Sequence, residues 1–174
     1  MKLNTRKLVL CAAVAAVYAV MSFFGGIFGL TYGPVQCRFA EALCVLPFFV
    51  PETAWGLFIG CVLTNLMSAY GPIDVVFGSL ATLLAGLATA RLRVKALAPL
   101  PPVLANGVIV GAVIAYAEVG ATPAFWSAYA YNGLTVALGE VLACYVLGLL
   151  LLQLLPRTGL LRWVREREEK GNKL

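Results

Sequence analysis

The chain has 174 residues, 61% of them hydrophobic and only 12% charged, with a formal net charge of +5. Average soluble domains carry roughly 25% charged residues, so this much apolar surface requires lipid around it and excludes an ordinary water-soluble domain. There is no histidine, which removes the commonest general base and metal ligand. The five cysteines (Cys11, Cys37, Cys44, Cys61 and Cys144) form no C-x-x-C pair and read as small packing residues, not as a disulfide framework or a metal site.

Lys2, Arg6 and Lys7 precede an apolar run that starts at Leu8 and continues to about Leu30. The opening resembles a signal peptide, but the run is too long, and a retained first transmembrane helix is expected. Glycine and proline then punctuate the chain: Gly25 to Pro34, Pro51, Gly71–Pro72, Pro99 to Pro102, Gly120 with Pro123, and Pro156. These breaks predict six helices at 7–29, 35–50, 52–69, 73–93, 101–118 and 124–155. The second is short for a ~30 Å hydrocarbon core, and the last is long enough to protrude. The expected architecture is an all-α integral membrane bundle over 1–156, followed by a basic cytoplasmic tail over 157–174.

Charge position gives an independent count. Of the 13 Lys and Arg residues, all but Arg38 fall at the N-terminus, at Arg91–Lys95, or in the tail from Arg157 to Lys173. The positive-inside rule places all three groups in the cytoplasm, separated by four and then two crossings. The positive charge thus faces the inner membrane surface, with the lipid bilayer as its partner and no nucleic acid implied. Trp55 near the inner face and Trp126, Tyr32, Tyr70, Tyr116, Tyr129 and Tyr131 near the outer face fit interfacial belts.

Polar residues inside the spans are costly and need a reason. Gln36, Arg38 and Glu41 fall in the outer half of the second helix; Thr64, Asn65 and Ser68 in that of the third. Asp74 opens the fourth, Glu118 closes the fifth, and Asn132 lies in the outer half of the sixth. Asn106 and Glu140 fall near the midplane, and the inner halves are almost purely apolar. The pattern predicts a polar cavity open to the exterior and closed toward the cytoplasm, suited to capturing a ligand from outside. Structural roles compete. Arg38 and Glu41, three apart, can neutralise each other, Asp74 and Glu52 can complement helix starts, and Asn106 and Asn132 can bond between helices. Glu140 has no basic residue near it in its own helix.

Small residues four apart at Ala12/Ala16, Ala15/Ala19, Gly56/Gly60 and Gly107/Gly111 allow close helix approach. No G-x-x-x-x-G-K-[ST] loop for ATP is present. No inverted repeat of a complete secondary transporter is apparent. Energy for transport must then come from partners, and no cofactor or metal is expected in this chain. The lack of histidine and of a nucleophile–base pair argues against an enzyme, and the apolar inner halves argue against a pore.

Four strings in order are similar to the QueT family: YGPVQCRFAEALCVLPFFVPE (Tyr32 to Glu52), GPIDVVFGSLATLLA (Gly71 to Ala85), LPPVLANGVIVG (Leu100 to Gly111) and LGEVLACYVLG (Leu138 to Gly148). That resemblance implies a substrate-binding S component of an energy-coupling factor (ECF) transporter, associated with uptake of queuosine precursors. It further implies six helices, a ligand site near the outer face, and a first helix that docks through Ala12 and Ala16 on a transmembrane coupling subunit. Two cytoplasmic ATPases would complete the complex. The implied aminomethyl-deazaguanine offers N–H donors for carboxylates, a carbonyl for Asn or Arg, a cationic amine and a flat ring. Glu140, Asp74, Asn132, Asn106, Glu41, Arg38, Tyr32 and Trp126 supply these types. The expected assignment puts Glu140 or Glu41 on the guanine-like edge and Asp74 on the amine, or the reverse. Another heterocyclic vitamin is the alternative ligand; a small membrane enzyme, a channel and a ligand-free scaffold subunit are the rival roles.

Overall fold

A computed structural model describes residues 5–28 and 38–164. It is all-helical in its described residues. Helical runs cover Thr5–Ile27, Phe39–Phe48, Thr53–Asn65, Pro72–Thr89, Lys95–Val119 and Phe125–Arg157, here numbered α1 to α6. Each predicted helix coincides with one of them. Four (α1, α4, α5 and α6) are long and apolar enough to cross a membrane.

The two short runs depart from prediction for local reasons. α2 is a 3-10 helix containing Pro47. Its steeper rise of about 2 Å per residue stretches ten residues to roughly 20 Å, where an α-helix would give about 15 Å. α3 stops at Asn65, four residues earlier than predicted. Beyond it, Ser68 Oγ accepts from the Tyr70 amide at 3.2 Å, and Gly71 takes φ +70° ahead of Pro72. Such side-chain bonding to backbone competes with helix continuation, and Pro72 with its preset φ starts α4.

Surface polarity is inverted relative to a soluble protein. Phe24, Ile59, Leu104, Leu134 and Val146 are each more than half exposed, whereas Glu41, Asp74 and Ser79 are wholly buried. Lipid as solvent explains both halves of that pattern. These findings define a multi-pass membrane protein.

Small residues set the helix spacing. A Cβ on Gly56 would collide with the Cys11 carbonyl oxygen, and one on Gly60 would lie 2.8 Å from that of Ala15. The buried face of α1, including Ala15 and Ala19, is therefore used against α3, while Ala12 and Ala16 remain exposed. α5 and α6 meet in the same way, since a Cβ on Gly111 would lie 2.6 Å from the Gly133 Cα. At the basic end of the bundle, Lys7 pairs with Glu52 at 2.8 Å. Arg6 donates to the Trp163 carbonyl and places its guanidinium 5.1 Å from the Trp163 ring centre. The described start of the tail thus folds back on α1; residues 165–174 lie outside the described residues.

Gly60→Leu must force α1 and α3 apart. Overpacking of this kind costs about 1–3 kcal/mol, so the variant in detergent is expected to aggregate at a lower temperature than the parent on heating. An unchanged midpoint would show that this close contact is dispensable.

Candidate functional site

Five predicted residues converge in the centre of the bundle. Arg38 precedes α2, Glu41 lies in its first turn, Asp74 is in the first turn of α4, Asn106 is on α5 and Glu140 on α6. All are buried, the most accessible being Arg38 at 7% exposure. The cost of a dehydrated charge is met by donors from other helices and from the carboxylate's own helix. Glu140 Oε1 accepts from Asn106 Nδ2 at 2.9 Å, and its Oε2 accepts from Cys144 Sγ at 3.4 Å. Glu41 accepts from the Tyr18 hydroxyl at Oε1 and from Cys44 Sγ at Oε2, the latter at 2.8 Å. Cys144 Sγ also reaches the Glu41 carbonyl at 3.3 Å, joining α2 to α6.

Asp74 forms the second pole. Its Oδ2 accepts from Ser68 Oγ at 2.6 Å and lies 3.7 Å from a guanidinium nitrogen of Arg38. Asn65 Nδ2 donates to the Asp74 carbonyl at 3.1 Å. Arg38 is thus paired across helices with Asp74, in place of the expected neutralisation within one helix by Glu41. The reason is local: Arg38 has extended backbone (φ −85°, ψ 94°) and stands outside the helical stack that carries Glu41. Asp74 combines the expected helix-start position with this pairing. Glu52, read from the sequence as a helix-start carboxylate, stands at the N-cap of α3 and also bonds Lys7.

Arg38, Asn106, Val110, Val136 and Glu140 line a narrow recess, closed so tightly that it has no room for a water molecule. The sequence predicted a polar cavity open to the exterior. The structure has a tighter arrangement, because donors and acceptors from different helices close on one another across the space.

Two predicted residues, Asn132 and Trp126, stand apart from this recess. Asn132 Nδ2 donates to Glu118 Oε2 at 2.7 Å, tying α6 to the end of α5. It sits two turns along α6 from Glu140, roughly 12 Å away. Trp126 is 73% exposed and packs edge-on against Phe125 and Tyr129 in an apolar groove with Phe77 and Tyr116. It supplies no wall to the polar recess. Tyr32 lies outside the described residues.

The sequence pattern does not single out Tyr18, and it reads Cys44 and Cys144 as packing residues. Each nonetheless carries a signal. Tyr18 is a hydroxyl in an Ala/Val run and must find a partner when buried. Cys44 comes three residues after Glu41 and Cys144 four after Glu140, which are same-face spacings.

The described residues form a lipid-facing helical bundle with a buried polar centre, the architecture of a multi-pass membrane protein. The model of the family described as "QueT transporter" matches residues 8–157, and the chain belongs to that family of transporters. The "Queuosine precursor transporter QueT" of Lactococcus lactis subsp. cremoris (strain MG1363) is 35% identical over 82 residues, covering 47% of this chain and 48% of that protein. The chain thus spans about half the length of the curated relative it matches. No solved structure matches.

Tyr18→Phe removes one donor from the wholly buried Glu41. Leaving a buried acceptor short costs about 1–3 kcal/mol, so a lower midpoint in thermal aggregation is expected; a midpoint equal to the parent's would mean that Glu41 does not depend on Tyr18.

Proposed function

We propose that this chain is the substrate-binding component of an ECF-type importer and captures a queuosine precursor of the aminomethyl-deazaguanine type from outside. The observation that carries the reading is the convergence of Glu41, Asp74, Glu140, Arg38 and Asn106 from four helices. Three carboxylates and one guanidinium leave a formal surplus of two negative charges, which suits a ligand with a cationic amine and several N–H donors. The name of the Lactococcus relative supports the same substrate class. Binding opens the recess and replaces protein–protein bonds with protein–ligand ones, so that ligand and closed network compete. No covalent chemistry is assigned to this chain.

Transport would be powered by partners: a transmembrane coupling subunit and two cytoplasmic ATPases that use ATP. Ala12 and Ala16, exposed on α1, offer the small-residue face for the coupling subunit. Six crossings with both termini in the cytoplasm follow from the charge distribution. With Cys37 replaced by Ser, a membrane-impermeant maleimide added to intact cells should label Gly120→Cys and spare Lys95→Cys. Labelling of Lys95→Cys from outside would overturn this topology.

The substrate is tested by calorimetric titration of the purified chain with the aminomethyl-deazaguanine, using guanine and thiamin as controls. Selective binding is expected, weakened more than about tenfold (1.4 kcal/mol) by Glu140→Gln. An effect within about twofold, below ~0.5 kcal/mol, would remove Glu140 from the ligand site. Tight binding of thiamin instead would move the chain to another vitamin.

A further inference from the structure

The carboxylates of the network are not equally satisfied. Both oxygens of Glu41 and both of Glu140 hold protein donors. At the Arg38–Asp74 pair the situation differs. The 3.7 Å separation is too long for a charge-assisted hydrogen bond, which runs at about 2.7–2.9 Å. Arg38 Nε and Asp74 Oδ1 are buried and have no hydrogen-bond partner among the described residues. One is a donor and the other an acceptor, and both belong to groups that meet at this contact. Leaving two such groups unmatched in a dry interior is costly, and the surrounding residues maintain the arrangement. Ser68 and Asn65 hold Asp74 from one side. Gly78 gives its carboxylate room, since a Cβ there would collide with Asp74 Oδ1 and lie 2.9 Å from Asn65 Nδ2.

We infer that the Arg38–Asp74 pair is the ligand-reading edge of the site, built for a lactam: a ring carbonyl beside a ring N–H. The carbonyl accepts from Arg38 Nε, and the N–H donates to Asp74 Oδ1. Gly78, Ser68 and Asn65 are positioning residues for that carboxylate. Glu41, bonded by Tyr18 and Cys44 and set outside the recess lining, ties α1 to α2. Glu140, which unlike Glu41 lines the recess, is left for the amine. This deepens the proposed function and rests on its reading of the site as a heterocycle pocket. It selects one of the two orders of assignment that the sequence left open.

The test uses the full chain in detergent and a panel of heterocycles read by calorimetry. The panel holds the aminomethyl-deazaguanine, an analogue with hydrogen in place of the ring carbonyl oxygen, an analogue methylated on the adjacent ring nitrogen, guanine, and thiamin as a ligand without a lactam. Each analogue is expected to bind at least about 100-fold more weakly than its parent. In Asp74→Asn, and in the milder Gly78→Ala, that ratio should shrink to about tenfold or less, because the parent alone loses its edge contact. Analogues within about threefold of the parent on the wild-type chain overturn the inference without need of any variant. Binding confined to lactam-bearing members other than the aminomethyl-deazaguanine, and lost in Asp74→Asn, upholds the inference while removing the substrate reading. Tight thiamin binding unaffected by Asp74→Asn overturns the inference, and a folded chain that binds no member of the panel overturns both.

Discussion

Every polar group in the middle of this bundle must find its partner in protein, because a bilayer core offers no water to complete its bonds. Most features of the centre stem from that constraint. Glu140 takes a donor from α5, Glu41 takes one from α1, and Asp74 takes a guanidinium from the residue ahead of α2. Each bond links one helical segment to another, so the network does the work of a hydrophobic core at a depth where apolar contact with a neighbour is no better than contact with lipid. The glycines at 56, 60, 107 and 111 make this possible by letting backbones approach closely enough for short side chains to reach across.

The polar residues also coincide with departures from regular helix. Glu41 lies in a 3-10 helix. A π-helical stretch begins at Asn106, and another runs from Val141, directly after Glu140. A π turn inserts one residue, rotates the rest of the helix by about 100°, and recurs at functional positions. Here two of them flank the Asn106–Glu140 bond. Regular helices through these segments would carry the downstream residues to other faces, so helical register and hydrogen-bond pairing depend on each other.

In the proposed reading, selectivity and stability are divided within one network. Glu41, with its thiol and phenol donors, is a closed unit whose removal would loosen α1 from α2. Arg38 and Asp74 are held close but incompletely joined. The apolar groove carrying Trp126 lies on the lipid-facing side of α4, α5 and α6, where an exposed aromatic is ordinary at a membrane interface. Aromatic character alone therefore did not place a residue at the polar recess.

The membrane environment, the helical class and the position of each helix were legible in the sequence, because hydropathy and Gly/Pro punctuation are local properties that the bilayer reads directly. So was the set of buried polar residues, since a charge in an apolar run is conspicuous wherever it points. The QueT resemblance carried by Tyr32–Glu52, Gly71–Ala85, Leu100–Gly111 and Leu138–Gly148 agreed with the family model over residues 8–157. Which residues pair was decided only in the tertiary structure. Helical spacing suggested Arg38 with Glu41, whereas the extended backbone at Arg38 turned it to Asp74. The separation of Trp126 and Asn132 from the recess, and the recruitment of Tyr18, Cys44 and Cys144, depend on helix rotation. Rotation is set by how small residues on different helices meet, and a one-dimensional pattern does not contain it.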